Sequence, residues 1–266
     1  MNNTEKIKEV VKSKYTEIAV ASQDCGCSCC GTGAPVTIDY SIMSDDYSKI
    51  EGYVPDADLG LGCGLPTEHA DIKEGDWVLD LGSGAGNDVF IARRVTGPTG
   101  KVLGLDFTDE MIKKARINAD KLKYNNVEFR KGDIEDMPVN DETIDVIVSN
   151  CVLNLVPDKE KAFFEMFRVL KPGGHFCVSD IVIKGELPDG LLSVAAMYTG
   201  CVAGALQMDE YLGIIDKAGF ENISVPKQKK IVIPDEIFLN YISEKELNKF
   251  KESGVEILSV TVKADK

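Results

Sequence analysis

Trp77-Val-Leu-Asp80-Leu-Gly82-Ser-Gly84-Ala-Gly86 decides the fold. An apolar run of strand length passes into three glycines at alternate positions, and from Asn87 to Val95 the apolar residues take up helical spacing. A strand that turns through glycines into a helix opens an α/β sheet, because glycine permits the sharp turn and lets a ligand approach the backbone. Further strand-length runs at Val102–Leu105, Val127–Phe129, Ile144–Val148 and Phe176–Ile183 alternate with helical stretches over Thr108–Lys123 and Asp158–Leu170. Strands apolar on both faces predict a mostly parallel sheet with helices on both faces. Thr108 reads as an N-cap, with Asp109 and Glu110 in the first turn.

Outward from this core, residues 5–20 form an amphipathic helix with Ile7, Val10, Val11, Ile18 and Ala19 on one face. A Cys-, Gly- and Ser-rich loop follows, then an extended arm from Asp39 to Pro66. Past Ile183 come an uncharged helical stretch, a helix over Asp209–Ala218 closed by Gly219, and a strand near Ile223–Val225 in a region that Ile231–Ile233 can continue. A polar helical segment over Pro234–Lys251 and a last strand over Val255–Val262 complete the pattern.

The 266 residues fit one large domain with additions or two small ones, and 44% hydrophobic with 28% charged residues is the texture of a globular protein with a real core. The net charge of −14 removes the cation surplus that nucleic-acid binding needs, so no nucleic-acid partner is expected. Met1 to Lys6 lacks a basic region followed by an apolar one, which predicts no export signal and a cytoplasmic protein. Gly190 to Met208 is uncharged but carries Ser193, Thr199, Gly200, Gly204 and Gln207 without a basic flank. It reads as a buried pocket wall rather than a membrane span. In the reducing setting so implied, the eight cysteines are expected to stay mostly as thiols.

The glycine turn has two readings. A dinucleotide fingerprint, G-x-G-x-x-G, needs glycine at position 87, where Asn87 stands. The order is instead acid-x-G-x-G-x-G, starting at Asp80. Asp106 ends the second strand, where a carboxylate can accept from both ribose hydroxyls, and Gly132-Asp133-Ile134 ends the third, where an acid can take an adenine amine. This pattern resembles the class I S-adenosylmethionine-dependent methyltransferases, and Lys171-Pro-Gly-Gly174 before the fifth strand fits them too. The resemblance implies a Rossmann-like fold with an N-terminal arm and an inserted helical cap. It also implies roles: Asp80, Gly82, Ser83, Gly84 and Gly86 around the methionine part, Asp106 on the ribose, and Asp133 and Ile134 on the adenine. Phe107 or Ile134 would pack on the ring, and Asn150 would close the cofactor set. An acid-rich site suits a cationic sulfonium.

No general base stands out for the acceptor. His69 precedes the core and His175 lies in an apolar strand after two glycines, and both read as structural. Sulfur is the distinctive element. Cys63 lies in Leu59-Gly-Leu-Gly-Cys-Gly-Leu-Pro66, Cys151 follows Asn150 at the end of the fourth strand, and Cys201 falls in Tyr198-Thr-Gly-Cys-Val-Ala-Gly204. Each alone reads as an inert buried thiol, whereas three together can surround one soft ion. These motifs, with Gly132-Asp-Ile-Glu-Asp-Met-Pro138, are similar to those of arsenite methyltransferases over almost the whole sequence. The resemblance implies methylation of trivalent arsenic by S-adenosylmethionine, with Cys63, Cys151 and Cys201 as arsenic ligands. It further implies a thiol relay between Cys63 and an N-terminal cysteine, Cys30 or else Cys29, with a thiol reductant such as thioredoxin or glutathione as cosubstrate. Arsenite or its thiol conjugate would be the substrate.

Under this reading the chain divides into a helix and cysteine-rich arm over 1–68, a cofactor-binding core over 69–185, and an arsenic-binding helical segment with closing strands over 186–266. Cys27 and Cys30 also form a C-x-x-C that could be half of a zinc site, although no second such pair exists. Two other readings stand beside the first: a methyltransferase for a small organic acceptor with structural cysteines, and a thiol sensor that binds a metalloid without turnover.

Overall fold

The computed structural model describes residues 3–21, 45–185, 204–239 and 242–266. Seven strands form one sheet in the order β3-β2-β1-β4-β5-β7-β6. They are β1 (Trp77–Leu81), β2 (Lys101–Asp106), β3 (Val127–Lys131), β4 (Ile144–Asn150), β5 (Leu170–Lys184), β6 (Glu221–Lys230) and β7 (Glu256–Asp265). β3 to β5 pair in parallel and β7 runs antiparallel to both β5 and β6. This is the mostly parallel α/β sheet that the strand–helix alternation predicts and the Rossmann-like fold that the family resemblance implies, with the antiparallel pair confined to one edge.

Alternate residues of β1 supply both faces of the sheet. Leu79 and Leu81 join a core with Phe163 and Met166 of α5 (Lys159–Val169) and Tyr211 and Ile215 of α6 (Met208–Lys217). Val78 joins the opposite core with Phe90 of α3 (Asn87–Thr96) and Ile112 and Ala115 of α4 (Asp109–Leu122). A third, smaller apolar cluster gathers Cys63, Cys151, Ile181, Ile231, Ile233, Phe238 and Ile257. The N-terminal helix α1 (Asn3–Ala21) lies against α4, and the short α2 (Pro66–His69) precedes the sheet.

Three sequence expectations change. Thr108 occupies the N-cap position of α4, but its hydroxyl makes no capping bond, and its backbone N–H is instead held by Asp106 Oδ1 at 2.8 Å. The segment expected as one helix over Pro234–Lys251 is two, α7 (Asp235–Phe238) and α8 (Glu244–Glu252). The second starts at its own capping box, in which Ser243 accepts from the Glu246 N–H and the Glu246 carboxylate accepts from the Ser243 N–H. The fifth strand begins at Leu170 rather than Phe176, and a register irregularity between Ile144 and Val146 absorbs the Pro172-Gly-Gly174 turn. Of the predicted uncharged stretch, residues 190–203 lie outside the described residues. No helix among the described residues is long and apolar enough to cross a membrane.

One carboxylate is wholly enclosed by the core. Asp180 of β5 accepts a hydrogen bond from the Tyr211 hydroxyl at 3.2 Å, and burial, opposed by the Lys159 charge, pushes its pKa up to about 7. The folded value lies above the unfolded value of about 3.9, so the neutral acid is the stabilising form. That contribution is full at low pH and is lost as pH rises through the folded value. The stability advantage of Asp180→Asn over the parent protein should therefore be larger at pH ~8 than at pH ~5, read from urea midpoints at both values. A gap that does not widen with pH would contradict an enclosed ionising acid.

Candidate active site

The carboxyl ends of β1, β2, β3 and β4 open into one cleft. Leu81 of β1 is level with Ser149 of β4, so the glycine turn after one strand and Asn150–Cys151 after the other emerge side by side. Gly82 takes φ +67° and its N–H donates to the Leu105 carbonyl at 2.7 Å. A Cβ there would meet the Val152 methyl at 2.4 Å, and one at Gly86 (φ +100°) would meet the Phe90 and Phe129 rings at 2.9 Å. A side chain at Gly82 would crowd Val152 in the cleft wall and one at Gly86 would strike core rings, and both positions take positive φ, which explains the glycines. Two polar atoms in the cradle, Ser83 Oγ and Asn87 Oδ1, are buried without a hydrogen-bond partner, as groups kept for a ligand would be.

Carboxylates surround this cradle. Asp106 Oδ2 accepts from the Gly84 N–H at 3.0 Å, so the residue at the end of β2 also braces the glycine turn. Burial raises the pKa of Asp106 against the backbone N–H groups of Thr108 and Gly84. Asp80 is driven well above the usual carboxylate range by burial and then by the charges of Asp88 and Asp106. Asp88 is raised to about 6, again by burial, with hydrogen bonds from Tyr47, Asn150 and Thr67 opposing. Acids crowded this closely favour a cationic ligand, whose charge would bring their pKa values down. Phe107, Gly132, Asp133 and Ile134 line the same cleft with Asp80, Gly82, Ser83, Gly84, Asp106 and Asn150, so of the residues that the sequence assigns to the cofactor only Gly86 is not in its lining.

Asn150 sits at the cleft wall, but its carboxamide is engaged with the Cys63 turn: Oδ1 accepts from the Cys63 N–H at 2.9 Å and Nδ2 donates to the Gly64 carbonyl at 2.8 Å. Cys63 and Cys151 are joined in a disulfide with Cα atoms 5.8 Å apart, where the sequence reading expects reduced thiols. The turn at Cys63 and the end of β4 are held face to face, which brings the sulfurs within bonding reach. Cys151 lines the cleft beside Val152 and has φ +59°, a left-handed conformation that costs a non-glycine residue about 1–2 kcal/mol. Its N–H is held by the Ser179 carbonyl at 2.8 Å. Strain of this kind gathers at functional positions. Cys201, Cys29 and Cys30 lie outside the described residues, as do Cys25 and Cys27. Cys177 is free and buried, its thiol pushed up to about 12 by burial, and is chemically quiet. His175 is tied by Nε2 to the Ala70 carbonyl at 2.6 Å, a structural role as expected.

One part of the site is not evident from sequence. Lys8, Val11 and Tyr15 of α1 line the cleft. Lys8 Nζ lies 2.6 Å from Asp133 Oδ2 and 2.6 Å from Glu135 Oε2. Burial lowers the lysine pKa, but the two carboxylate hydrogen bonds outweigh it and the net shift is upward. The amphipathic pattern of residues 5–20 marked a packing helix and carried no sign of where it would dock.

The fold and the glycine–acid cleft define a methyltransferase domain, and a family profile described as "Methyltransferase domain" matches residues 72–219. An arsenite methyltransferase of Halobacterium salinarum is 40% identical over 98% of this chain and 67% of its own length. One from Aquipseudomonas alcaligenes is 38% identical over 65% of this chain, which spans only 52% of that relative. The crystal structure of an arsenic (III) S-adenosylmethionine methyltransferase from Chlamydomonas reinhardtii superposes with a TM-score of 0.64 at 30% identity, covering 88% of this chain and 75% of that one. The chain belongs to the arsenite methyltransferase family.

The Lys8 pairing fixes α1 over the cleft, so Lys8→Ala should loosen it. Backbone amide exchange across residues 3–21 should accelerate by about fivefold or more, with β1 and β4 unchanged. Equal exchange in both proteins would mean that apolar packing alone holds the helix.

Proposed function

We propose that the chain methylates trivalent arsenic, held by cysteine sulfur, with the methyl group of S-adenosylmethionine. The observation that carries this reading is the placement of Cys151, paired with Cys63, in the wall of a glycine- and acid-lined cleft. Family membership supports it, and the orphaned Ser83 and Asn87 atoms support occupation of the cradle by a polar ligand.

When bound, S-adenosylmethionine supplies an electrophilic methyl carbon, which the arsenic lone pair takes without a general base. Asp106 would hold the ribose and Asp133 with Ile134 the adenine, while Gly82 and Gly84 leave room for the methionine part and Gly86 lets the turn pack on Phe90 and Phe129. Asp80 and its neighbours offset positive charge. Phe107 offers a ring face at the cleft. Thiolates of Cys63, Cys151 and Cys201 would ligate arsenic, and the apolar surroundings of the first two exclude water from the bonds.

Methyl transfer removes an electron pair from arsenic, and two thiols restore it by closing a disulfide. The Cys63–Cys151 bond supports a role for this pair in that redox half of the cycle. Cys30 or Cys29 would then exchange with Cys63, and a dithiol or glutathione would reopen the last bond, two electrons per disulfide.

The deciding experiment is mass analysis of products from purified protein, arsenite, S-adenosylmethionine and a thiol. Cys151→Ser should abolish methylated arsenic while cofactor affinity stays within about twofold. Asp106→Ala should weaken cofactor binding by about tenfold or more and leave arsenite binding intact. Continued arsenic methylation by Cys151→Ser would overturn the reading, and an organic acceptor with structural cysteines would replace it.

A further inference from the structure

Along the cleft wall, a line of hydrogen bonds reaches the Cys63 turn from Tyr47 and Asp88 by way of Asn150. Cys63 N–H and Gly64 N–H both donate to Asn150 Oδ1, at 2.9 and 3.3 Å. The fit is close: a Cβ at Gly62 would meet Asn150 Nδ2 at 2.5 Å, and one at Gly64 would meet Ser179 Oγ at 2.5 Å. A carboxamide has a donor end and an acceptor end, so only one of its two orientations offers oxygen to both N–H groups.

Tyr47 selects that orientation. Its hydroxyl, almost fully buried, lies 3.0 and 3.2 Å from the two carboxylate oxygens of Asp88 and 3.1 Å from the Gly64 carbonyl, and it also accepts from Asn150 Nδ2; the charged carboxylate is the stronger acceptor for its proton. A hydroxyl has one proton to give. With that proton donated to Asp88, which as a carboxylate can only accept, the Tyr47 oxygen is left to receive the Asn150 N–H. Asp88 thereby fixes Tyr47, Tyr47 fixes Asn150, and Asn150 fixes the Cys63 backbone. Because Asn150 directly precedes Cys151, one carboxamide registers both sulfurs of the pair.

We propose that Tyr47 and Asp88 are positioning residues for Cys63, holding its turn where the sulfur meets that of Cys151 by setting the direction of the Asn150 carboxamide. This rests on the reading of Cys63 and Cys151 as working thiols. The consequence lies in the thiol–disulfide equilibrium of the pair, since a turn held in register closes the bond at lower entropic cost.

The test equilibrates the full chain with dithiothreitol at neutral pH. In that exchange the Cys63–Cys151 bond breaks and one S–S bond forms within dithiothreitol. Two electrons pass from the dithiol to the protein sulfurs, and its two thiol protons end on Cys63 and Cys151. Alkylation followed by mass analysis of the peptides carrying those two residues reads the ratio. Tyr47→Phe should shift the equilibrium toward the thiols by about tenfold, the scale of one hydrogen bond to a buried charge. Asp88→Ala should do the same, and the double variant should go no further, because both act through one line of bonds. A Tyr47→Phe equilibrium within about twofold of the parent, or single effects that multiply in the double variant, would overturn the proposal. Should Asp88→Ala fail to fold, Tyr47→Phe alone decides. Arsenic methylation that survives Cys151→Ser would sink the functional reading and leave this equilibrium measurement standing.

Discussion

The parallel ladder between β1 and β4 is the constraint from which the site follows. It pairs Val78 with Val146 and carries the register up to Leu81 opposite Ser149. Parallel strands side by side deliver their carboxyl ends to the same level, so the glycine turn and the Asn150–Cys151 corner emerge together. A slip of one residue would turn Leu79 and Leu81 away from the core they share with Phe163 and Phe176. The apolar pattern of the two strands thus determines where a cofactor cradle and a cysteine meet, although neither takes part in that packing.

Much of this was legible in the sequence, and for a definite reason. Strands buried on both faces read as continuous apolar runs, and the turn after β1 needs φ values that favour glycine, so Gly82 and Gly86 could be read directly. Acids at strand ends were legible because the topology leaves them few places to go. The disulfide was not. Cys63 and Cys151 are separated by 88 residues, and their meeting depends on the Asn150 carboxamide and the Ser259 hydroxyl, which hydrogen-bonds the Cys63 carbonyl. Those contacts carry no periodicity. The split of the Pro234–Lys251 segment was missed for a related reason: the capping box at Ser243 is a local signal inside a stretch whose polar composition suits one helix or two.

Electrostatics gives the cleft its asymmetry. Burial raises the pKa values of Asp80, Asp88 and Asp106, and for Asp80 the charges of Asp88 and Asp106 add to it. A protein keeps such groups close together only where something offsets the cost. Lys8 already does so for Asp133 and Glu135, and Asp80, Asp88 and Asp106 line the same cleft as the glycine turn and Cys151. Carboxyl groups are therefore concentrated where a sulfonium would lie, and its positive charge would draw their pKa values back down.

The cysteine side is organised by the opposite principle. Cys63 and Cys151 pack into an apolar cluster with Ile181, Ile231, Ile233, Phe238 and Ile257. An apolar shell raises the cost of a free thiolate and favours states in which sulfur is covalently satisfied, whether in a disulfide or bound to a soft atom. Asn150 lies on the boundary, its amide tied to Cys63 on one side and, through Tyr47, to Asp88 on the other. A charged compartment and an apolar one thus share a single polar side chain, and the chemistry proposed for the protein requires the two compartments to touch.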